Sequence, residues 1–292
     1  MVRAPGPDAE TDRPGPVRES GAEPKNVPPR PWGMDVDADQ ARVRLWLHPE
    51  AGPPTEDLRA TLLADPPPGR LLHQNQRHRL HRAELAGHDC VIKRSLPGRR
   101  HLPRLARTFA RAVALEGDGA RWLAQPLALA EYRRAGKRRG YTLIHGFVEG
   151  RSLGEHRRRA GDSRLPLEAV AELVSQMSRA GLHCRDFSAD NILIREDGQG
   201  GPQAVLVDLE SLARGTAGPI RRARMLAQLR LSAAQGRQLR TELRRRGVAV
   251  SAPLAFLARH CWLPLRDLEQ HPRTRAWRAR VRQWISPRAG KD

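Results

Sequence analysis

Apolar positions fall in short alternating runs through the first half of the chain and in helical stripes through much of the rest. Val43 to His48 alternates apolar with polar and reads as a strand or a short helix. Thr55 to Leu63 reads as a small helix, with Thr55 as its cap and Glu56 and Asp57 in its first turn. Leu71 to Lys93 reads as a β-hairpin region, in which His81–Leu85 and Cys90–Lys93 flank a tight turn at Ala86–Asp89. Apolar residues at 105, 109, 112, 113 and 115 predict a helix over Leu102–Leu115, and strands are predicted at Pro126–Leu129 and Tyr141–Ile144. A stripe at Val170, Leu173, Val174 and Met177 predicts a helix from Leu167 to Ala180, closed by Gly181. Two apolar runs, Ile192–Ile194 and Ala204–Val207, flank the polar turn EDGQGGP and predict paired strands. Arg221–Arg246 and Thr274–Trp284 read as basic helices, and Leu254–Leu265, with Trp262, as apolar packing.

The stretch His183–Asp208 carries the most specific chemistry. Asp186 precedes Asn191 by five residues, the first apolar run follows at once, and the second ends in Asp208. Phosphoryl transfer from ATP needs an oriented hydroxyl nucleophile and a divalent metal that neutralises phosphate charge. A carboxylate beside the acceptor meets the first need. A carboxamide oxygen and a second carboxylate, both hard oxygen ligands, meet the second. Two short paired strands would bring Asn191 and Asp208 to one space, with Asp186 on the loop before them. The bland alternative is a pair of surface acids flanking an ordinary hairpin. Lys93 ends an apolar strand in a chain with only 4 lysines against 48 arginines, and a lysine placed there can reach phosphate oxygens as a point charge. His78 and His81 crowd the same region but have no acid or cysteine at metal-ligand spacing, so solvated strand histidines are expected.

The motifs RDFSADNIL and VLVDLE resemble the catalytic and metal loops of the protein-kinase-like fold, and most closely the bacterial lipopolysaccharide kinase (Kdo/WaaP, InaA-like) family. Asp208-Leu-Glu210 fits that family's metal strand. Cys184 stands where the family carries a histidine two residues before the catalytic aspartate, and His183 is shifted by one. Cys90-Val-Ile-Lys93 resembles the strand whose lysine holds ATP phosphates, and Glu149-Gly-Arg-Ser-Leu153 the segment after the hinge. The resemblance implies an α+β, two-lobe protein-kinase-like fold, with a small β-rich lobe over residues 70–147 and a larger helical lobe over 148–292. Asp186 would orient or deprotonate the acceptor hydroxyl, Asn191 and Asp208 would hold Mg2+, and Lys93 would position the phosphates of ATP. Active kinases also carry a helix glutamate that pairs with this lysine. Phe109 falls near that position, and Glu116, at the helix end, is the nearest acid. No glycine-rich loop precedes Lys93; Gln74–His78 is the segment expected to cover the nucleotide. His145–Val148 is the expected hinge, offering backbone groups to an adenine edge.

Composition narrows the rest. At 292 residues the chain can bury a full core. Three scattered cysteines argue against a disulfide framework and for a reducing compartment. The absence of a secretory signal pattern and of a long apolar run predicts a cytoplasmic protein, with peripheral contact to the inner membrane as a further expectation. Residues 1–30 hold seven prolines without periodicity and are expected to be disordered, and 31–69 to form an extension packed on the small lobe. The formal charge is +20, and residues 213–292 carry 19 Arg or Lys against 4 acids. That surface suits an anionic glycolipid or phosphorylated sugar, although an Arg-rich coding bias would leave the same charge merely solvated. Charge alone speaks for nucleic acid, with no binding motif, and none is expected. The expected function is ATP-dependent phosphorylation of a Kdo or heptose hydroxyl in the lipopolysaccharide inner core. The rival is a catalytically silent pseudokinase acting as a binding or scaffold protein.

Overall fold

The computed structural model describes residues 42–270, apart from 49–55, 65–66, 76–77, 86, 96–101, 134–138, 161–164, 198–200 and 216. The expectations for residues 1–30, the Thr55 cap and the helix at 274–284 lie outside the described residues.

Strands β1 (Arg42–Leu47), β2 (Arg70–Gln74), β3 (His78–Leu85), β4 (His88–Ser95), β5 (Pro126–Arg133) and β6 (Arg139–Gly146) form one antiparallel sheet in the order β1-β5-β6-β4-β3-β2. Strand alternation sends successive side chains to opposite faces. Leu45, Leu47, Cys90, Ile92, Ala128, Ala130 and Ile144 pack on one face with Leu62 of α1 (Glu56–Leu63). Trp46, Leu129, Tyr141 and Leu143 pack on the other, against Phe109 and Ala112 of α2 (Leu102–Gly117). Region 43–48 is therefore a strand of the main sheet, hydrogen-bonded to β5. Lys93 lies opposite Leu143, on the α2 side of the sheet.

The second lobe is built on α4 (Leu167–Arg179), whose Val170, Leu173, Val174 and Met177 are all buried. Gly181, at φ +65, takes the left-handed conformation that ends this helix and turns the chain into β8 (Leu182–Cys184). β9 (Ile192–Asp197) and β10 (Gly201–Leu206) pair around the polar turn, with β7 (Arg151–Ser152) beside β9. β11 (Leu212–Arg214) pairs with β8. Helix α3 (Leu153–Ala160) follows β7, and α5 (Pro219–Ala227), α6 (Ala233–Arg245), α7 (Ala252–Leu257) and α8 (Leu263–Gln270) complete the lobe. A single π-helical turn, Ala258–Trp262, separates α7 from α8. The apolar packing expected over 254–265 is only partly realised. Ala258 and Leu263 are buried, but Phe256, Leu257 and Leu265 are more than half exposed because they fall off the buried face.

The two lobes meet through backbone as well as side chains. After α2, Leu206 donates to the Trp122 carbonyl at 2.9 Å and its own carbonyl accepts from Ala124 at 3.0 Å. These bonds tie the end of β10, just before Asp208, to the small lobe. The arrangement is the α+β, two-lobe, kinase-like layout expected from the motifs. No helix among the described residues is long and apolar enough to cross a membrane.

Candidate active site

Hairpin register brings the two expected metal ligands to one end. Leu206 pairs with Ile192, and the next residue, Val207, donates its N–H to the Asn191 carbonyl at 3.1 Å. Asn191 and Asp208 thus flank the mouth of the β9–β10 hairpin. Asp186 leaves β8 on a loop anchored by the fully buried Phe187, and the Asn191 carboxamide donates to the Asp186 carbonyl at 3.0 Å. That bond orients the carboxamide through its nitrogen and leaves the oxygen, an acceptor, available to a cation.

Lys93 arrives from the sheet above. Its Nζ lies 2.8 Å from Asp208 Oδ1 and 2.9 Å from Glu210 Oε1, with all three side chains less than a fifth exposed. Burial alone would discourage the ammonium, but the two carboxylates outweigh it and raise the lysine pKa. Glu210 sits on the 3-10 turn Leu209–Ser211, which folds its carboxylate back toward the lysine. Its second oxygen is 3.9 Å from His78 Nε2, and that nitrogen lies 2.8 Å from the Tyr141 hydroxyl.

Glu116, the acid nearest the expected helix position and a candidate partner for Lys93, does not pair with it. Its carboxylate accepts from His48 Nε2 at 2.9 Å and from Gln125 Nε2 at 3.3 Å, at the far end of α2. One turn and more earlier, Phe109 is 1% exposed and packs in the core. The lysine takes its carboxylates from Asp208 and Glu210 instead. Glu210 was visible in the sequence only as the last letter of Asp-Leu-Glu, because its reach depends on the tight turn that follows β10.

The departure at Cys184 also has a structural counterpart. Its Sγ is 2.8 Å from Ser211 Oγ, and the Ser211 hydroxyl donates to the Asp208 carbonyl at 2.7 Å. The serine hydrogen is thereby committed, so the thiol donates to the serine oxygen. Burial pushes the thiol pKa up to about 12, which keeps it protonated. The chain Cys184–Ser211–Asp208 ties β8, the strand before the Asp186 loop, to the turn that carries Asp208. His183, one residue earlier, points the other way and bonds the Gly215 carbonyl at 3.0 Å.

The hinge carries a buried, neutral imidazole. Burial is the largest effect on His145 and lowers its pKa to about 4, with Lys93 pushing the same way. Gly146 N–H is bound to the Gln125 carbonyl and Phe147 N–H to the Asp89 carbonyl. Among the described residues, the Phe147 carbonyl and the Val148 N–H remain open for a planar ligand edge.

Among the described residues no group of three or more His, Cys, Asp or Glu could hold a metal alone. Magnesium seldom uses an all-protein cage and takes one or two carboxylates together with substrate phosphates. The oxygens of Asn191 and Asp208 fit such a partial set. The three kinds of group that phosphoryl transfer requires therefore converge: a carboxylate on a loop, hard oxygen ligands, and a cation for phosphate. Beyond the expected residues, Arg266 of α8 reaches the same centre, with Nη2 3.1 Å from Asp186 Oδ1. No sequence signal marked it.

The chain matches the lipopolysaccharide kinase (Kdo/WaaP) family over residues 79–241, more than half its length. No curated protein matches it. Among solved structures, one described as WaaP in complex with acyl carrier protein is similar over 83% of this chain and 99% of its own, at 18% identity and a TM-score of 0.48.

Proposed function

The chain belongs to the lipopolysaccharide kinase (Kdo/WaaP) family, and from that premise we propose that it transfers the γ-phosphoryl group of ATP to a sugar hydroxyl of the lipopolysaccharide inner core, on Kdo or heptose. The observation that carries this reading is the convergence of Lys93 and Asp208 across the lobes, 2.8 Å apart, beside a loop on which Asn191 braces Asp186. Asp186 orients the acceptor hydroxyl and accepts its proton as the oxygen is phosphorylated. Asn191 and Asp208 would hold magnesium, which would neutralise phosphate charge there. Lys93 reaches the phosphates, and Glu210 keeps it in place. The open backbone groups at Phe147 and Val148 take the adenine edge. The basic helices α5 and α6 suit an anionic acceptor, and the reaction is assigned to the cytoplasmic face of the inner membrane.

The test is transfer of labelled phosphate from magnesium-ATP to core oligosaccharide bearing Kdo or heptose. Wild type is compared with Asp186→Ala and Asp208→Ala. Transfer by wild type and its loss in both variants is the expected result. If the wild type fails to bind magnesium-ATP at millimolar concentration, the phosphotransferase reading is wrong and a silent, scaffolding role replaces it.

A further inference from the structure

α8 lies beyond the family-matched segment, yet it delivers a cation to the proposed catalytic aspartate. Arg266 Nη2 is 3.1 Å from Asp186 Oδ1. Among the described residues Oδ2 of Asp186 has no partner. Between Asp186 and Asn191 the loop reads Phe-Ser-Ala-Asp and offers no cation of its own.

An ion pair with an exposed aspartate is usually worth little, and Asp186 is 54% exposed against 22% for Arg266. This one differs in how many restraints hold it. The Arg266 guanidinium lies 5.5 Å from the Trp262 ring centroid, and Arg224 of α5 lies 5.6 Å from the same ring. The next residue, Asp267, accepts from Arg230 Nη2 at 2.6 Å. Arg230 is itself held in a costly conformation. It has φ +52, alone among the described non-glycine residues, and its carbonyl and that of Leu229 both accept from Arg157. The π-helical turn at Ala258–Trp262 adds a further device. Such single turns are rare and recur at functional sites, and the extra residue rotates the face that α8 presents. A cation–ring contact, a paired neighbour, a strained anchor and a re-aimed helix all converge on one guanidinium.

We propose that Arg266 is a positioning residue for phosphoryl transfer. It holds Oδ1 of Asp186 so that Oδ2 faces the acceptor hydroxyl, and α8 thereby completes the active centre from outside the family-matched segment. The inference rests on the assignment of Asp186 as the residue that meets the acceptor. A planar guanidinium suits this task because it fixes a carboxylate in direction as well as in charge. Misplacing a catalytic group by about an ångström can cost on the order of 100-fold in rate.

The experiment uses the full chain, magnesium-ATP, and core oligosaccharide bearing Kdo or heptose. Arg266→Met keeps an unbranched side chain of similar reach and removes the fork. Its kcat is expected to fall roughly 10- to 100-fold, while KM for magnesium-ATP stays within about twofold. Its melting temperature should move by no more than about 4 °C. Arg266→Lys restores part of the rate by returning the charge without the fork. The double variant Arg266→Met/Asp186→Ala loses no more than Asp186→Ala alone, because residues that act as a unit are not additive. A rate for Arg266→Met equal to or above wild type, as an inhibitory latch would give, overturns the proposal. So do losses that multiply in the double variant. If Asp186→Ala itself retains the wild-type rate, the assignment of Asp186 fails and the proposal falls with it, an outcome distinct from a failure of Arg266 alone.

Discussion

Replacing Lys93 with methionine should destabilise the protein by an amount set by the two carboxylates left behind. Nζ lies 2.8 Å from Asp208 and 2.9 Å from Glu210, and the three side chains are 14, 16 and 19% exposed. At these separations each attraction is worth about 6 kcal/mol gross in an effective dielectric near 20. Desolvation offsets most of that. Removing one partner of a buried pair costs about 3–5 kcal/mol, because the remaining charge is stranded. Two carboxylates two residues apart in sequence would then face each other without their shared cation, so about 3 kcal/mol is a conservative expectation. The corresponding fall in melting temperature is roughly 6–12 °C for a chain of this size. Glu210→Gln alone should cost under about 1 kcal/mol, since Lys93 keeps Asp208. In the double variant Lys93→Met/Glu210→Gln, about half of the Lys93→Met loss should return. Urea unfolding of all four proteins, with chelator present to exclude divalent cations, closes the double-mutant cycle. If the two losses add within about 0.5 kcal/mol, the three groups are not coupled and the geometry described for the lysine is wrong.

Glu116→Gln should leave the dissociation constant of magnesium-ATP within about twofold of wild type, while costing about 1 kcal/mol of stability through the buried His48; calorimetry on one variant reads both. Gly150→Ala should lower the melting temperature by roughly 6–12 °C, because a Cβ there would sit 2.5 Å from the Ile194 carbonyl oxygen at φ +152, a backbone conformation worth about 1–3 kcal/mol of strain before the clash is counted. His145 adds an acid sensitivity whose sign is fixed. Above pH 6.5 its ring is neutral in both states and contributes no pH dependence. Below that, the unfolded chain binds a proton that the folded chain refuses until about pH 4. Stability therefore falls through this window by about 3 kcal/mol. Urea unfolding at pH 7.5 and pH 5 should show the slope, and His145→Gln should flatten it; an unchanged slope would remove His145 from the account.

Local pattern made the hairpins and the long helices readable. β3–β4 and β9–β10 each close through a short turn, and α2 and α4 carry apolar stripes at helical spacing, so neighbours in sequence are neighbours in space. β1 was ambiguous because its partner β5 lies more than 80 residues away, and only that pairing decides between strand and short helix. The loop and hairpin of the candidate site could be read because Asp186, Asn191 and Asp208 all lie on one continuous stretch. Glu210 and Arg266 could not. The first depends on how a 3-10 turn aims a side chain at a residue 117 positions earlier. The second depends on a π-helical turn that changes the phase of the helix carrying it. Glu116 is the nearest acid to the expected helix position, but the helix end carries it away from Lys93 to His48.

Three contacts of the candidate site have a common physical consequence. Where the usual kinase pattern has a histidine, Cys184 bonds the turn of Asp208 through Ser211. Where it has a helix glutamate, Glu210 takes the lysine. Beside the proposed catalytic aspartate, α8 supplies Arg266. Each of these residues comes from the larger lobe. Lys93 is the small lobe's contribution, and both of its ion pairs cross to the other side. Parting the lobes would therefore break both pairs together and expose three charges, whereas in an arrangement anchored on α2 the lysine could keep its glutamate as the lobes part. The lysine in this chain is thus a clasp between lobes as well as the proposed phosphate ligand. Its position should follow closure of the cleft rather than the orientation of α2. Phe109, buried where an acid would otherwise stand, leaves that helix with apolar packing against the sheet and no charge to offer Lys93.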